Sequence, residues 1–198
     1  MKLKLKFAIK PLAKNDMEHP GEIWQEADFN GERIGGIVPT ELDLDKVKLF
    51  IGTAVMLYRY KDDEVEYLFQ HRSKLLKGNP DKWDVSAGGH VNLNERRTDS
   101  AVRETKEEIG ATIDGDKLEF AAAYLRWKVL VILYFYDWTG KEDNFHFDDQ
   151  EVEEVKWVKY KDIKAFSPNF KPGLMDDVVF LYYLKEWTAK IIKKYENH

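Results

Sequence analysis

The sequence contains no cysteine. The protein therefore has no disulfide bond, no thiolate metal site and no thiol nucleophile. Because disulfides are rare in the reducing cytoplasm, a chain without cysteine fits that compartment, and we expect a cytoplasmic location. Internal repeats and low-complexity linkers are also lacking, which argues against a repeat architecture.

Long apolar runs are absent too. The longest lies near residues 129–136 and is too short to span a bilayer. The first ten residues, MKLKLKFAIK, alternate lysine with apolar residues, whereas a signal peptide needs an unbroken apolar segment. We therefore expect no membrane partner, and we interpret residues 2–9 as an edge strand.

No long basic run occurs, and the net charge is −5, so bulk nucleic acid is not an expected partner. An acidic protein that binds a phosphorylated ligand needs a metal ion or a local basic patch to offset repulsion. The composition can fill a core, because 43% of the residues are hydrophobic and 14% are aromatic. A length of 198 residues suits one sizeable domain with an extension.

Hydrophobic periodicity predicts mixed strands with one central and one closing helix. Asn30-Gly31, between the strands predicted at 22–29 and 32–38, is a strong hairpin signal. The succession predicts an α+β fold or an α/β/α sandwich. We interpret residues 1–45 as an N-terminal strand and hairpin extension packed on a domain of residues 46–198. The predicted strands are 2–9, 22–29, 32–38, 47–60, 66–72, 83–86, 117–127, 128–138 and 151–158. The predicted central and closing helices are 97–109 and 173–195, and a short helix is predicted at 160–166.

The central helix carries a crowded acidic face. Glu104, Glu107 and Glu108 stand three and four residues apart and are therefore neighbours on the helix surface. Three crowded carboxylates destabilise a helix unless a divalent cation neutralises them. Carboxylate oxygens suit Mg²⁺, which keeps several waters and takes phosphate oxygens as further ligands, and we expect Mn²⁺ as a substitute. The other side of the helix carries a stripe that can be buried: Ala101, Val102, Thr105 and Ile109.

The spacing around this helix resembles the Nudix box: glycine, five residues, glutamate, seven residues, Arg-Glu, an apolar residue, any residue, Glu-Glu, any residue, glycine, apolar residue. At about one in twenty per fixed residue, a full match arises by chance on the order of once per billion starting points. Thr105 departs from the apolar position, but its methyl can pack as in valine and its hydroxyl can bond back to the Ala101 carbonyl. The fixed residues appear in order as Gly89, Glu95, Arg103, Glu104, Glu107, Glu108 and Gly110.

The resemblance covers roughly residues 46–195 and implies an α/β/α sandwich around a mixed sheet. Nudix enzymes typically hydrolyse a diphosphate joined to another group, often a nucleoside diphosphate linked to X. The resemblance therefore implies a Mg²⁺-dependent pyrophosphohydrolase whose partner is a small-molecule diphosphate, with a nucleotide derivative expected. A hairpin extension often packs across a dimer in this family, so a homodimer is also implied.

By resemblance, Glu104, Glu107 and Glu108 are the catalytic metal ligands, and the Gly88 carbonyl completes a metal shell. Glu107 or Glu108 would also receive a proton from the attacking water. Arg103 would orient the carboxylates, and a purely structural ion pair is the competing interpretation.

Three further side chains are candidates for substrate binding: Arg72, Arg126 and His90. Arginine can pair bidentately with phosphate, and His90 follows the glycine pair directly. The competing interpretations are a surface salt bridge for each arginine and a loop-ordering hydrogen bond for His90.

Acidic residues outside the helix are candidates for lesser roles. Glu95 is expected to brace the loop before the helix. Asp148, Asp149 and Glu151 stand where many Nudix enzymes carry an extra carboxylate that binds metal or acts as base. A solvated acidic loop is the competing interpretation for these three.

Residues 70–73 and 82–90 resemble the branch of the family that looks like isopentenyl-diphosphate isomerase. In that isomerase a cysteine just before the metal-binding histidine acts as acid and base. This chain has no cysteine and no acidic residue within positions 124–136, so we prefer hydrolase to isomerase chemistry. A catalytically silent nucleotide-binding module is a third hypothesis, although silent members usually lose box glutamates that this chain keeps.

Overall fold

The structure, a computed structural model, describes most of the chain, namely residues 22–38, 49–76, 78–147, 150–170, 174 and 178–197. The strand predicted at residues 2–9 lies outside the described residues, as do the loop acids Asp148 and Asp149.

The described strands form one mixed sheet, and two long helices accompany it. The strands are β1 (Trp24–Ala27), β2 (Arg33–Ile37), β3 (Leu49–Lys61), β4 (Glu64–Arg72), β5 (Trp83–Asp84), β6 (Ala87–His90), β7 (Glu119–Arg126), β8 (Val129–Asp137) and β9 (Val152–Lys159). The helices are α1 (Arg97–Ile109), α2 (Ile163–Phe166) and α3 (Val178–Glu196), with short 3₁₀ turns at Gly115–Lys117, Tyr160–Asp162 and Ser167–Asn169.

The hairpin predicted around Asn30-Gly31 is confirmed. β1 and β2 pair antiparallel, and the Asp28 carboxylate accepts hydrogen bonds from the backbone amides of Asn30 (2.8 Å) and Glu32 (3.0 Å). β1 then pairs antiparallel with the start of β3. The hairpin is therefore continuous with the main sheet.

β3 is the centre of the sheet. Its residues from Leu49 to Tyr58 are all buried, as expected for a strand covered on both faces. It pairs antiparallel with β1, β4 and β6 and parallel with β8. Asp62 and Asp63 turn the chain into β4 with φ values of 50° and 59°, the backbone that a two-residue hairpin turn requires.

The two faces of the sheet are covered by different helices. Val55 belongs to the same apolar cluster as Ala101 of α1. The next residue of β3, Met56, belongs to a second cluster that contains Phe180 and Leu184 of α3. Because successive side chains of a strand point to opposite faces, the sheet is sandwiched between α1 and α3. The predicted α/β/α arrangement around a mixed sheet is confirmed.

One described segment differs from the prediction. Residues 87–90 follow the strand predicted at 83–86, yet they pair with β3 as strand β6, although glycine disfavours strands. Their backbone is held by β3 rather than by local propensity. The closing helix is described from Val178 to Glu196, and its predicted start at residue 173 lies outside the described residues. No helix among the described residues has the length and apolar character that a membrane span requires.

Asp137, at the end of β8, attaches the C-terminal helix. Its carboxylate accepts hydrogen bonds from Lys194 Nζ (2.6 Å) and Tyr195 Oη (2.7 Å) of α3 and from the Thr139 amide (2.9 Å). Partial burial acts to raise the pKa of Asp137, but these hydrogen bonds outweigh it and lower the pKa overall.

The folded-state pKa of Asp137 lies below its unfolded value of about 3.9. Its contribution to the free energy of unfolding is therefore present above pH ~4 and is lost as the pH falls through the folded pKa. We expect Asp137→Asn to lower the free energy of unfolding at pH 7 by about 1 kcal/mol and to flatten this acid dependence. Urea unfolding at a series of pH values measures both effects, with the exposed Asp116→Asn as control. If the free energy of unfolding depends on pH in the same way in the wild type and in Asp137→Asn, Asp137 does not stabilise the attachment of α3.

Candidate functional site

The buried stripe of α1 fixes how the helix presents its acids. Ala101, Thr105 and Ile109 are fully buried, and Gly110 ends the helix with a left-handed φ of 68°. Thr105 Oγ1 donates to the Ala101 carbonyl at 2.6 Å, as predicted from the sequence. Beside this stripe, Glu104 and Glu108 lie against Gly89 and Gly88 of β6, whereas Glu107 is half exposed.

We expect Thr105→Val to leave stability nearly unchanged, because valine keeps the shape of threonine and the Ala101 carbonyl keeps its helical amide partner. Turnover and metal dependence should also be unchanged, since the hydroxyl points back into α1. Kinetic assays beside urea unfolding check this. A large loss of activity at wild-type stability would assign the hydroxyl a role in the reaction.

Glu108 is buried between α1 and the sheet, with 5% of its surface exposed. One carboxylate oxygen accepts hydrogen bonds from the Gly88 amide (2.8 Å) and from Gln70 Nε2 (3.1 Å). Burial, followed by repulsion from Glu104, raises the pKa of Glu108 well above its ordinary value. These two hydrogen bonds fix the position of the Glu108 carboxylate, but both come from uncharged amides and so leave its negative charge unbalanced.

Glu104 lies against the backbone of Gly89. A methyl group on Gly89 would stand only 2.3 Å from Glu104 Oε1, so only glycine allows this approach. Burial raises the pKa of Glu104 to about 7, although Arg103 acts against the shift. Glu104 and Glu108 thus form a pair of desolvated carboxylates behind the two glycines of β6.

Arg103 connects most of the remaining box residues. Its Nε and Nη2 contact Glu95 at 2.9 and 3.1 Å, and its Nη1 contacts Glu104 at 2.8 Å and Glu107 at 2.9 Å. Nη2 also donates to the His90 carbonyl at 3.1 Å. Burial acts to raise the pKa of Glu95, but the hydrogen bonds from Arg103 and the Asn92 amide lower it overall.

These carboxylates suit a hard cation. Mg²⁺ prefers oxygen ligands, and the negative charges of these desolvated carboxylates are not fully balanced by neighbouring cations. Glu104 and Glu108 fit this donor set. Glu107 is half exposed and contacts Arg103. In the described part of the chain, no three acidic or histidine side chains converge as a complete coordination shell. The chain itself therefore supplies the buried Glu108 and the largely buried Glu104, whose side chain is 13% exposed, with Glu107 at their solvent side.

A cleft of roughly 300 Å³ opens beside β6. Gly88 and Gly89 line it, so the cleft and the glutamate pair share the same backbone wall. His90 and Arg126, two of the residues predicted to bind substrate, also line the cleft. The His90 ring stacks on Trp24, with centroids 3.6 Å apart and planes 8° apart.

The other predicted residues lie near the cleft in different roles. Arg72 donates to the Gly78 carbonyl at 3.1 and 3.3 Å and lies 3.9 Å from an oxygen of Asp84, so it braces the loop between β4 and β5. Glu151 lies close enough to Glu108 to contribute to the raised pKa of that residue. Its carbonyl accepts from the Ser73 amide at 2.7 Å.

Two polar residues beside the candidate site are not among those predicted from the sequence. Gln70 is 1% exposed and donates to Glu108, and its Oε1 has no hydrogen-bond partner among the described residues. Asp84 is 3% exposed and lines the cleft.

A model of the NUDIX domain matches residues 50–187, which include the glutamate pair, both glycines and Arg126. The chain belongs to the Nudix family. The assignment rests on more than two thirds of the chain and confirms the family indicated by the box. It does not select the isomerase-like branch within that family.

Two curated Nudix proteins are similar to parts of this chain. The uncharacterized Nudix hydrolase lin0387 of Listeria innocua is 42% identical over 104 residues, or 52% of this chain and 62% of the Listeria protein. Nudix hydrolase 3 of Arabidopsis thaliana is 26% identical over 139 residues, or 61% of this chain and 17% of the plant protein. The similarity thus spans less than two thirds of either relative.

Solved structures support the fold. DR0079 from Deinococcus radiodurans superposes with a TM-score of 0.61 at 17% identity, over 80% of this chain and 97% of that one. The C. elegans Ap4A hydrolase, solved as a binary complex, superposes with a TM-score of 0.52 at 21% identity, over 71% and 96% of the two chains. At these identities the likeness concerns the Nudix fold alone.

Proposed function

We propose that this Nudix protein is a Mg²⁺-dependent hydrolase that cleaves a diphosphate bond by attack of water. The observation that supports the proposal most strongly is the desolvated pair Glu104 and Glu108, which lies against Gly89 and Gly88, the two glycines that line the cleft. Two desolvated carboxylates that repel one another favour binding of a divalent cation, and Mn²⁺ would substitute for Mg²⁺.

The proposed roles follow from the contacts. Glu104 and Glu108 would hold the cation, with Glu107 and the Gly88 carbonyl as further ligands. When bound, Mg²⁺ supplies charge for the phosphate oxygens and lowers the pKa of a water molecule. Glu107, half exposed and held by Arg103, is our candidate to accept the proton of the attacking water.

The cleft supports a small phosphorylated substrate. Arg126 would pair with a phosphate group, and His90 would form part of the wall beside it. Arg72 would act indirectly, by keeping the β4–β5 loop in position. The substrate class we propose is a nucleoside diphosphate linked to another group. The Ap4A hydrolase among the structural neighbours supports a nucleotide derivative.

Two other functions remain as alternatives. Prenyl-diphosphate isomerase chemistry would need a different acid and base, since the chain has no cysteine. A silent nucleotide-binding module would have no need of the complete set of box glutamates. The homodimer, the cytoplasmic location and the division at residue 45 stay predictions.

A hydrolysis screen with Mg²⁺, with Mn²⁺ and with a chelator tests the proposal. The panel contains nucleoside triphosphates, nucleotide sugars, ADP-ribose, dinucleoside polyphosphates, CDP-alcohols and isopentenyl diphosphate, with products separated by chromatography. We expect metal-dependent cleavage of one class. Rearrangement of isopentenyl diphosphate without cleavage would support the isomerase, and tight nucleotide binding without turnover would support the silent module.

A further inference from the structure

The β1–β2 hairpin lies outside residues 50–187, yet it contacts the loop that leads into α1. The Gln25 backbone amide donates to the Val91 carbonyl at 2.8 Å, and the Leu93 amide donates to the Ile23 carbonyl at 2.7 Å. The loop after β6 is thus bonded to the hairpin through its own backbone.

The Gln25 side chain strengthens this attachment. It is 2% exposed, and its Oε1 accepts from the Asn94 amide at 3.1 Å. Its Nε2 donates to the Gly35 carbonyl at 2.7 Å and to the Glu26 carbonyl at 3.0 Å. A buried amide that is paired at both ends fixes the distance between the hairpin and the loop.

The contacts continue from the loop to the glutamates. Arg33 Nη2, from β2, donates to the Glu95 carbonyl at 2.6 Å. The Glu95 carboxylate contacts Arg103, which in turn contacts Glu104 and Glu107. A displacement of the loop would therefore move the arginine that orients two of the proposed metal ligands.

The hairpin also reaches the cleft. Trp24 of β1 stacks on the His90 ring, and Phe50 meets that ring edge-on with centroids 6.0 Å apart. Trp24 Nε1 donates to a carboxylate oxygen of Glu22 at 3.0 Å, which fixes the indole. The orientation of an imidazole in the cleft wall thus depends on a residue of the hairpin.

We infer that the β1–β2 hairpin positions the metal and substrate site, with Gln25 and Trp24 as its positioning residues. Gln25 acts on the metal ligands through the loop, Glu95 and Arg103. Trp24 acts on the cleft through His90. This inference rests on the proposed function of the site.

Metal affinity tests the part played by Gln25. We expect Gln25→Met to raise the Kd for Mn²⁺, measured by the electron paramagnetic resonance signal of free Mn²⁺, by at least about fivefold, as for other partners that orient metal ligands. Amide hydrogen exchange in residues 88–110 should also become faster. Phe29→Ala, a 75% exposed position in the same hairpin, is the matched control and should leave both quantities unchanged.

A second variant protects this test against a folding defect. Arg33→Gln removes the contact to the Glu95 carbonyl at an exposed position, and it should raise the Kd for Mn²⁺ by about twofold to threefold. Urea unfolding of all three variants separates local from global effects. If Gln25→Met and Arg33→Gln both fold and keep the wild-type Kd for Mn²⁺ and the wild-type exchange rates, the inference for Gln25 is overturned.

Steady-state kinetics test the part played by Trp24, on whichever substrate the wild type hydrolyses. We expect Trp24→Ala to raise KM by at least about fivefold with kcat within twofold, and Trp24→Phe to restore KM because a second ring can stack. Equal KM values in all three proteins would overturn this part. If the wild type binds Mn²⁺ but hydrolyses nothing, the proposed function fails while the Mn²⁺ and exchange measurements still decide the role of Gln25.

Discussion

Glu107→Gln is expected to lower kcat by at least about a hundredfold, the low end for removal of a general base. The substitution keeps the size of the side chain and an oxygen for Arg103 but removes the negative charge. Because Glu107 is half exposed, the free energy of unfolding should change by less than about 0.5 kcal/mol. Steady-state turnover at saturating Mg²⁺, beside urea unfolding, measures both effects.

The matched control is Glu186→Gln, which makes the same chemical change on an exposed position of α3. Its kcat should equal that of the wild type. Wild-type turnover in Glu107→Gln would remove this residue from the proposed chemistry and would move the proton acceptor to Glu108 or Glu151. The turnover of Glu151→Gln would then be measured in the same way, because Glu151 is near Glu108.

Gly110→Ala is expected to have the largest effect on stability. Alanine is strained at the φ of 68° found here, and its methyl group would stand 2.2 to 2.5 Å from the ring of His146. The His146 amide also donates to the Ile109 carbonyl at 3.2 Å, so the loop cannot move away without losing a contact to the helix end. We expect the free energy of unfolding to fall by about 2 to 3 kcal/mol.

Gly140→Ala separates the two causes. Gly140 has a φ of 75°, but a methyl group there would meet no atom within 4 Å. In Gly140→Ala the free energy of unfolding should therefore fall only by the cost of the strained backbone, about 1 kcal/mol. The double variant Gly110→Ala with His146→Ala should recover most of the stability that Gly110→Ala loses beyond Gly140→Ala. If Gly110→Ala and Gly140→Ala lose equal amounts of stability, the His146 ring does not contribute to the loss.

The sequence could predict elements whose signals are local. The bounds of α1 followed from the spacing of its stripe and from Gly110, and the hairpin followed from Asn30-Gly31. The bond from Thr105 to Ala101 was predictable because both residues share one turn of helix. The contact of Arg103 with Glu107 was also predictable, since the two residues stand four apart on one helix.

The remaining parts of the candidate site depend on contacts between distant segments. Gln70 meets Glu108 across 38 residues of sequence, and no periodicity specifies that pairing. Strand β6 forms because β3 offers it hydrogen-bond partners, against the preference of two consecutive glycines. The stack of Trp24 on His90 likewise requires the register between the hairpin, β3 and β6, which composition and motif spacing do not provide.

The parallel pairing of β3 with β8 also affects how the protein is made. About 80 residues separate the starts of these two strands, and the ribosome needs roughly 4 to 16 s to synthesise that length. During this time a long apolar strand has one unpaired edge, which can pair with another nascent chain. Chaperone demand during translation should therefore depend on how fast residues 62–128 are synthesised, and synonymous codons that slow this interval should increase aggregation.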